Sequence, residues 1–137
     1  MRFLAWHVDY VTATPTEKGR SQIIESAALI HAENTILVFA SFEKSDENQE
    51  ETIIDRSVNE ISSIAVQLNV TSIVLNPFAH LFAEQSSPET AKRMLDLLYN
   101  ALLKKGFNVQ KMAFGMFYEL ELRTKGHRLS RIARRIN

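Results

Sequence analysis

The run Asn76-Pro77-Phe78-Ala79-His80-Leu81 places a histidine where chemistry is conceivable. Pro77 restrains Asn76 to an extended shape and removes one amide donor, so the main chain of Phe78, Ala79 and His80 must follow a non-repeating path that could face a ligand. An apolar stretch from Val70 to Leu75 leads directly into it, and ligands of open sheets tend to sit beyond the carboxyl ends of strands. His80 could there hold a ligand or move a proton. The competing expectation is that Phe78 plugs the core and His80 caps a short helix beginning at Leu81.

The other chemistry-bearing residues are sparse. His7, His31 and His127 are each isolated, which gives no metal-ligand spacing, and the sequence contains no cysteine for a disulfide, a thiolate nucleophile or a metal site. It holds no phosphate loop, no Gly-x-Gly-x-x-Gly, no His-Glu-x-x-His and no Gly-x-Ser-x-Gly. Standard cofactor chemistry is therefore not expected, and the expected cofactor and metal are none. With 16 basic and 16 acidic residues the net charge is zero, so any attraction to a polyanion has to be local. The segment from Arg123 to Arg135 supplies such a locality: Arg123, Lys125, Arg128 and Arg131 would meet a phosphate backbone. A solvated basic tail is the other reading of the same run.

The elements that must position these residues follow from periodicity. A length of 137 residues, 45% of them hydrophobic, suits one domain over 1–137. Phe3 to Thr14 reads as a strand stopped near Pro15 and Gly19, and Ile36 to Phe42 as a strand in a sheet centre. Residues 21 to 32 fit a strand or a short helix equally. From Asn48 the period becomes about 3.6: Ile54, Val58, Ile61, Ala65 and Leu68 form one stripe, with Asn48 and Glu51 spaced as a capping box. Val70 to Leu75 reads as a buried strand. A second helix is expected from Pro88 to Lys105, capped by Ser87, ended by Gly106 and burying Ala91, Met94, Leu95, Leu98, Ala101 and Leu102. Val109 to Phe114 and Phe117 to Thr124 alternate about Gly115 and predict two paired strands. The fold class is α/β in the broad sense, α+β, with sheet layers and two amphipathic helices packed on them. The N-terminal residues are too polar for a signal or a membrane span, so a cytoplasmic protein without a membrane partner is expected.

Together with "HVDY" (His7 to Tyr10), "SFEK" (Ser41 to Lys44), "KKGFNV" (Lys104 to Val109), "AFG" (Ala113 to Gly115) and "KGH" (Lys125 to His127), the Asn76 to Leu81 run resembles the N-terminal editing domain of archaeal threonyl-tRNA synthetases. The matches keep the order of that family over nearly the whole chain. The resemblance implies a fold like that of D-aminoacyl-tRNA deacylases, a homodimer, and hydrolysis of tRNA(Thr) wrongly charged with serine. It also implies a synthetase catalytic module, covalently attached or separate. In the family the pocket is lined largely by main chain, so Pro77, Phe78, Ala79 and His80 would bind the substrate, with Phe42 contributing its backbone and Phe117 its place beside them.

Two positions depart from the family pattern. Where a tyrosine pair is followed by lysine, this chain reads Met116, Phe117 and Tyr118, and where an acidic residue follows the Gly-His element it has Arg131. His80 and Tyr118 are then the side chains left as catalytic candidates, and the resemblance assigns much of the catalysis to backbone and to the ribose 2′-hydroxyl of the RNA. A tRNA-binding appendage without activity and a stand-alone D-aminoacyl-tRNA deacylase are the alternatives.

Overall fold

The structure is a computed structural model that describes residues 1–79, 81 and 84–137. Its elements run β1 (Arg2–Lys18), β2 (Ile30–Ser41), a 3-10 turn (Lys44–Asn48), α1 (Glu50–Gln67), β3 (Ser72–Pro77), α2 (Pro88–Lys104), β4 (Asn108–Lys111), β5 (Met116–Thr124) and β6 (Arg131–Arg135). They form a mixed six-stranded sheet in the order β4-β3-β2-β1-β5, with β6 also paired to β1. The parallel pairs β2/β3 and β3/β4 each need a crossover, and the two helices supply them on one face. This is the α+β arrangement that the periodicities predict.

Alternation along β1 divides the core. Phe3 and Ala5 face the helices with Ile36, Val38, Ile73 and Leu75, against Ile53 and Ile61 of α1 and Met94, Leu95, Leu98 and Leu102 of α2. A second core lies on the other face, where Leu37 and Val74 meet Val11, Ala13, Leu120 and Leu122. Those four belong to the same sheet, so the long β1/β5 ribbon curls back over the face it came from. Its two register shifts, at Val8/Tyr10 and Pro15/Glu17, provide the bend. The second shift falls where Pro15 has no amide to give the ladder, and β1 continues past it to Lys18 instead of stopping there.

Helix α2 forms as its end signals predict: the Ser87 hydroxyl accepts the Thr90 amide, Pro88 opens the first turn, and Gly106 leaves the helix at φ +95°. The expected capping box at Asn48 and Glu51 is not formed. Gln49 begins α1 without a side-chain cap, and the reciprocal box lies one turn earlier, where Asp46 Oδ2 accepts the Glu43 amide at 2.7 Å. Asp46 also receives the Met1 amino group at 2.7 Å, which fixes the box at that turn.

The expected hairpin about Gly115 is corrected as well. β4 pairs in parallel with β3, whereas β5 pairs with β1, two strands further across the sheet. Alternation identifies a strand and its faces but not its neighbour, because both sheet edges read alike. The basic C-terminal segment is no tail either. β6 pairs with Arg2–Trp6 in register, and Ile132 packs on the helix-side core. Residues 19–29, left open by the sequence, form neither strand nor helix before Ile30 begins β2.

Candidate functional site

β2 and β3 run in parallel and end side by side, with Ala40 opposite Pro77. Beyond their carboxyl ends lies a cavity of about 320 Å³. That volume is within the ~300–1,000 Å³ usual for small-ligand sites. Its floor is main chain: the Phe78 amide donates to the Ala40 carbonyl at 2.9 Å, and the Ser86 amide to the Phe42 carbonyl at 3.0 Å. Pro77 forces this geometry by ending β3, since it cannot extend the ladder with an amide of its own.

The opposite wall is made by two segments that meet through glycines. The Gly19 amide donates to the Gly115 carbonyl at 2.7 Å, and a Cβ on Gly19 would lie 2.9 Å from that oxygen. Gly115 has φ +79°, and a Cβ there would lie 2.2 Å from the Ile23 carbonyl oxygen. Glu25 holds the same wall by two bonds: its amide donates to Phe114 O and its carboxylate accepts the Phe114 amide, both at 2.9 Å. Lys92 of α2 and Lys111 of β4 approach that carboxylate at 3.7 and 3.6 Å. Asp96 sits between the same two lysines. Burial pushes its carboxyl up, but hydrogen bonds and charge from Lys111 and Lys92 outweigh burial and hold it below the usual carboxylate range.

Phe42, Pro77, Phe78, Ala79 and Phe117 all line this cavity. His80 lies outside the described residues. Tyr118 does not line it: its ring packs on the second core, and its hydroxyl accepts the Ala113 amide at 2.7 Å. The sequence reading missed Arg20, Ser21, Gln85 and Ser86, which are also in the lining, and Arg20 is the one charged side chain among the described lining residues. Their signal was faint, because the loop carrying Arg20 and Ser21 has no periodicity. The hydroxyls of Ser41 and Ser86, also in the lining, are buried without a hydrogen-bond partner among the described residues. Such groups cost free energy unless a ligand or water satisfies them.

The four basic candidates lie elsewhere, none of them lining the cavity. Lys125 donates to Asp9 at 2.5 Å and Arg123 approaches the same carboxylate at 3.5 Å. The hydrogen bond from Lys125 is the main reason the Asp9 carboxyl is held below its ordinary range, against a smaller opposing effect of desolvation. Arg128 and Arg131 are exposed, and Arg131 faces Trp6 across the β6/β1 ladder. Two histidines isolated in sequence meet at this end. The Leu129 amide donates to His127 Nδ1, which leaves His127 Nε2–H to donate to His7 Nδ1 at 3.0 Å and His7 Nε2–H to Asn34 Oδ1 at 2.9 Å. His7 is 7% exposed, so the pair pins the turn 125–130 to β1. Among the described residues no group of three possible metal ligands occurs, and no helix is long and apolar enough to cross a membrane.

The fold is an α+β domain with a cavity of small-ligand size at its strand ends, lined mainly by backbone and uncharged side chains. The chain belongs to the archaea-specific editing domain of threonyl-tRNA synthetase, a family that matches it over residues 1–136. Threonine--tRNA ligase of Thermococcus sibiricus is 35% identical over 139 residues, and that of Methanocaldococcus jannaschii 35% over 138. In both cases 99% of this chain is covered but only 22% of the relative, so the chain spans about a fifth of their length. A solved structure of the c-Myc DNA Unwinding Element Binding Protein superposes with a TM-score of 0.70 over 100% of this chain and 99% of its own. At 13% identity that likeness concerns the fold alone.

Proposed function

We propose that the chain hydrolyses the ester of serine mistakenly attached to tRNA(Thr), with the cavity beyond β2 and β3 receiving the aminoacyl group. The observation that carries this reading is the cavity itself, bounded by main chain at Ala40–Phe42 and Pro77–Ala79 in a chain of the editing family. Serine and threonine differ by one methyl, worth only ~1–3 kcal/mol in a pocket, so a synthetic site needs a second site that rejects the larger residue. Walls fixed by backbone hydrogen bonds suit that task, because they cannot move aside as a side chain can.

Hydrolysis requires water to attack the ester carbonyl, donors for the developing oxyanion, and a proton for the departing ribose oxygen. Among the described lining residues none is a general base, so water positioning is assigned to the ribose 2′-hydroxyl, and the holding of the substrate is assigned to His80 on the family resemblance. Tyr118, with its hydroxyl committed to Ala113, is given no part in the reaction. Pairing as a homodimer and association with a synthetase catalytic module belong to the same proposal. A second reading, an RNA-binding appendage without activity, is favoured by Tyr118 and Arg131 standing where the family resemblance would put a lysine and an acid.

The decisive measurement is release of amino acid from seryl- and threonyl-tRNA(Thr) by this chain, repeated with tRNA ending in 2′-deoxyadenosine. Serine release is expected, with threonine spared, a loss of at least tenfold in the 2′-deoxy substrate, and rates within about twofold of wild type for Tyr118→Phe. No serine release above background would overturn the editing reading.

A further inference from the structure

The floor and one wall of the cavity belong to regular elements: Ala40 and Ser41 end β2, Pro77 ends β3, and Pro88 and Ala91 lie at the start of α2. The facing wall does not. Gly19, Arg20 and Ser21 begin the irregular segment 19–29, and Phe114 and Gly115 lie in the connection between β4 and β5. Glu25 joins these two stretches to each other and to the core. Its amide donates to the Phe114 carbonyl and its Oε1 accepts the Phe114 amide, so it satisfies both main-chain polar groups of that residue. Its other oxygen, Oε2, faces Lys92 at 3.7 Å and Lys111 at 3.6 Å. Both ammonium groups are themselves held. Asp96 binds the two of them, and Lys111 also lies over the Tyr99 ring, 5.6 Å from its centroid. Lys92 directly follows Ala91, so a single carboxylate spans from the irregular wall to the helical one.

We propose that Glu25 is a positioning residue that sets the width of the cavity and, through it, the discrimination between serine and threonine. The inference rests on the reading of the cavity as an aminoacyl-ester site. Glu25 does not line the cavity, so it acts through the wall it holds and touches no reacting atom. Rejecting one methyl group needs a wall that keeps its place to a fraction of an ångström, because contact energies change steeply over that distance. Among the described residues the only other main-chain hydrogen bond between 19–29 and 114–117 is that of Gly19 to Gly115. Without the Glu25 carboxylate, the Phe114 amide loses its acceptor and Lys92 and Lys111 share Asp96 as their one remaining anion. The wall then relaxes away from α2, the hold on serine weakens and threonine gains room. A merely structural role would act differently. It would lower the folded fraction, which scales the release of both amino acids alike and leaves KM unchanged.

The test compares the wild-type chain with Glu25→Ala and Glu25→Gln, each checked by circular dichroism. Deacylation of seryl- and threonyl-tRNA(Thr) gives kcat and KM. Calorimetry gives Kd for adenosine carrying serine through a 3′-amide, an analogue of the ester that is not hydrolysed. Glu25→Ala is expected to raise KM for seryl-tRNA(Thr) about fivefold with kcat within about twofold of wild type, and to weaken the analogue by a similar factor. The ratio of kcat/KM for serine over threonine should fall about tenfold, the least that one methyl is usually worth. Glu25→Gln keeps an acceptor for Phe114 but loses the ion pairs, so its effects should be about half as large on a logarithmic scale. It carries the test alone if Glu25→Ala does not fold. The inference is overturned if the folded variants keep the wild-type KM, Kd and serine-over-threonine ratio, if they lose only kcat, or if the wild type does not bind the analogue. Serine release with unchanged discrimination in the variants would retire the role of Glu25 and leave the editing reading standing. A wild type that binds the analogue but releases no serine would retire hydrolysis, and weaker analogue binding by the variants would then retain Glu25 as the residue that shapes the cavity.

Discussion

Asp96 shows what a single side chain contributes to this site without touching it. It binds Lys92 of its own helix at 2.7 Å and Lys111 of β4, and both lysines also face Glu25, which holds the cavity wall. Its carboxyl is held below the usual range despite burial, so folding strengthens as this group ionises. A carboxylate with a lowered value in the folded state contributes stability above its unfolded value, about 3.9, and loses it as pH falls through the lowered folded value. Asp96→Asn should therefore reduce stability at pH 7, by about 1 kcal/mol for a partly exposed ionic cluster. Urea unfolding of the two proteins should converge as pH drops below about 4. An equal difference at pH 7 and at the lowest pH where both remain folded would show that ionisation of Asp96 is not the source. Half of this cluster was legible in the sequence. The spacing of Lys92 and Asp96 is a helical i,i+4 pair, whereas Lys111 and Glu25 join only through the tertiary fold.

Elements were legible in proportion to how local their causes are. Helix α2 carries its cap, its opening proline and its terminating glycine within its own residues, and its stripe faces the core as the period requires. The cap of α1 was misplaced because Asp46 is recruited by the distant Met1 amino group as well as by Glu43. The hairpin about Gly115 was misread for a related reason: the connection crosses from one side of the sheet to the other, and its direction is set by the second core that buries Met112. That crossing depends on Gly115. Gly106 and Gly115 both hold a positive φ, but a Cβ on Gly106 meets nothing within 4 Å, while one on Gly115 strikes the Ile23 carbonyl. Gly106→Ala should cost only the backbone strain, about 1 kcal/mol, and Gly115→Ala at least about 2 kcal/mol, because strain and a backbone clash add. Denaturation midpoints decide between them. Beyond stability, Gly115→Ala should raise KM for seryl-tRNA more than it lowers kcat, since it displaces a cavity wall and no reacting group. Equal midpoints for the two variants would mean that the 19–29 loop yields freely and does not define the cavity.

At the scale of the whole molecule the neutral net charge hides an arrangement of charge that the sequence could not reveal. The basic run from Arg123 to Arg135 looked uniform, yet Asp9, 114 and 116 residues away from its ion-pair partners Arg123 and Lys125, masks the first part of it. Among the described residues the guanidiniums of the run without an ion pair are thereby Arg128, Arg131 and Arg135, and under the proposed function these are the ones left for RNA. This displacement has a measurable consequence. Each phosphate neutralised on a single strand contributes about −0.7 to the slope of log K against log salt. Three available guanidiniums predict a slope near −2 for a single-stranded RNA octamer ending in ACCA, and Arg135→Gln should flatten it by about 0.7. Asp9→Asn should do the reverse, because removing that one negative charge frees Lys125 and Arg123. Affinity at low salt rises and the slope steepens by about 0.7 or more, with both curves meeting at high salt. If Asp9→Asn changes neither affinity nor slope, the masked cations lie beyond the reach of the RNA. If it instead abolishes folding, then the Asp9 ion pairs, like the His7–His127 contact beside them, are what ties the 125–130 turn to β1. The slope is then read from Lys125→Gln, which should leave it unchanged within about 0.3 because that charge was already neutralised.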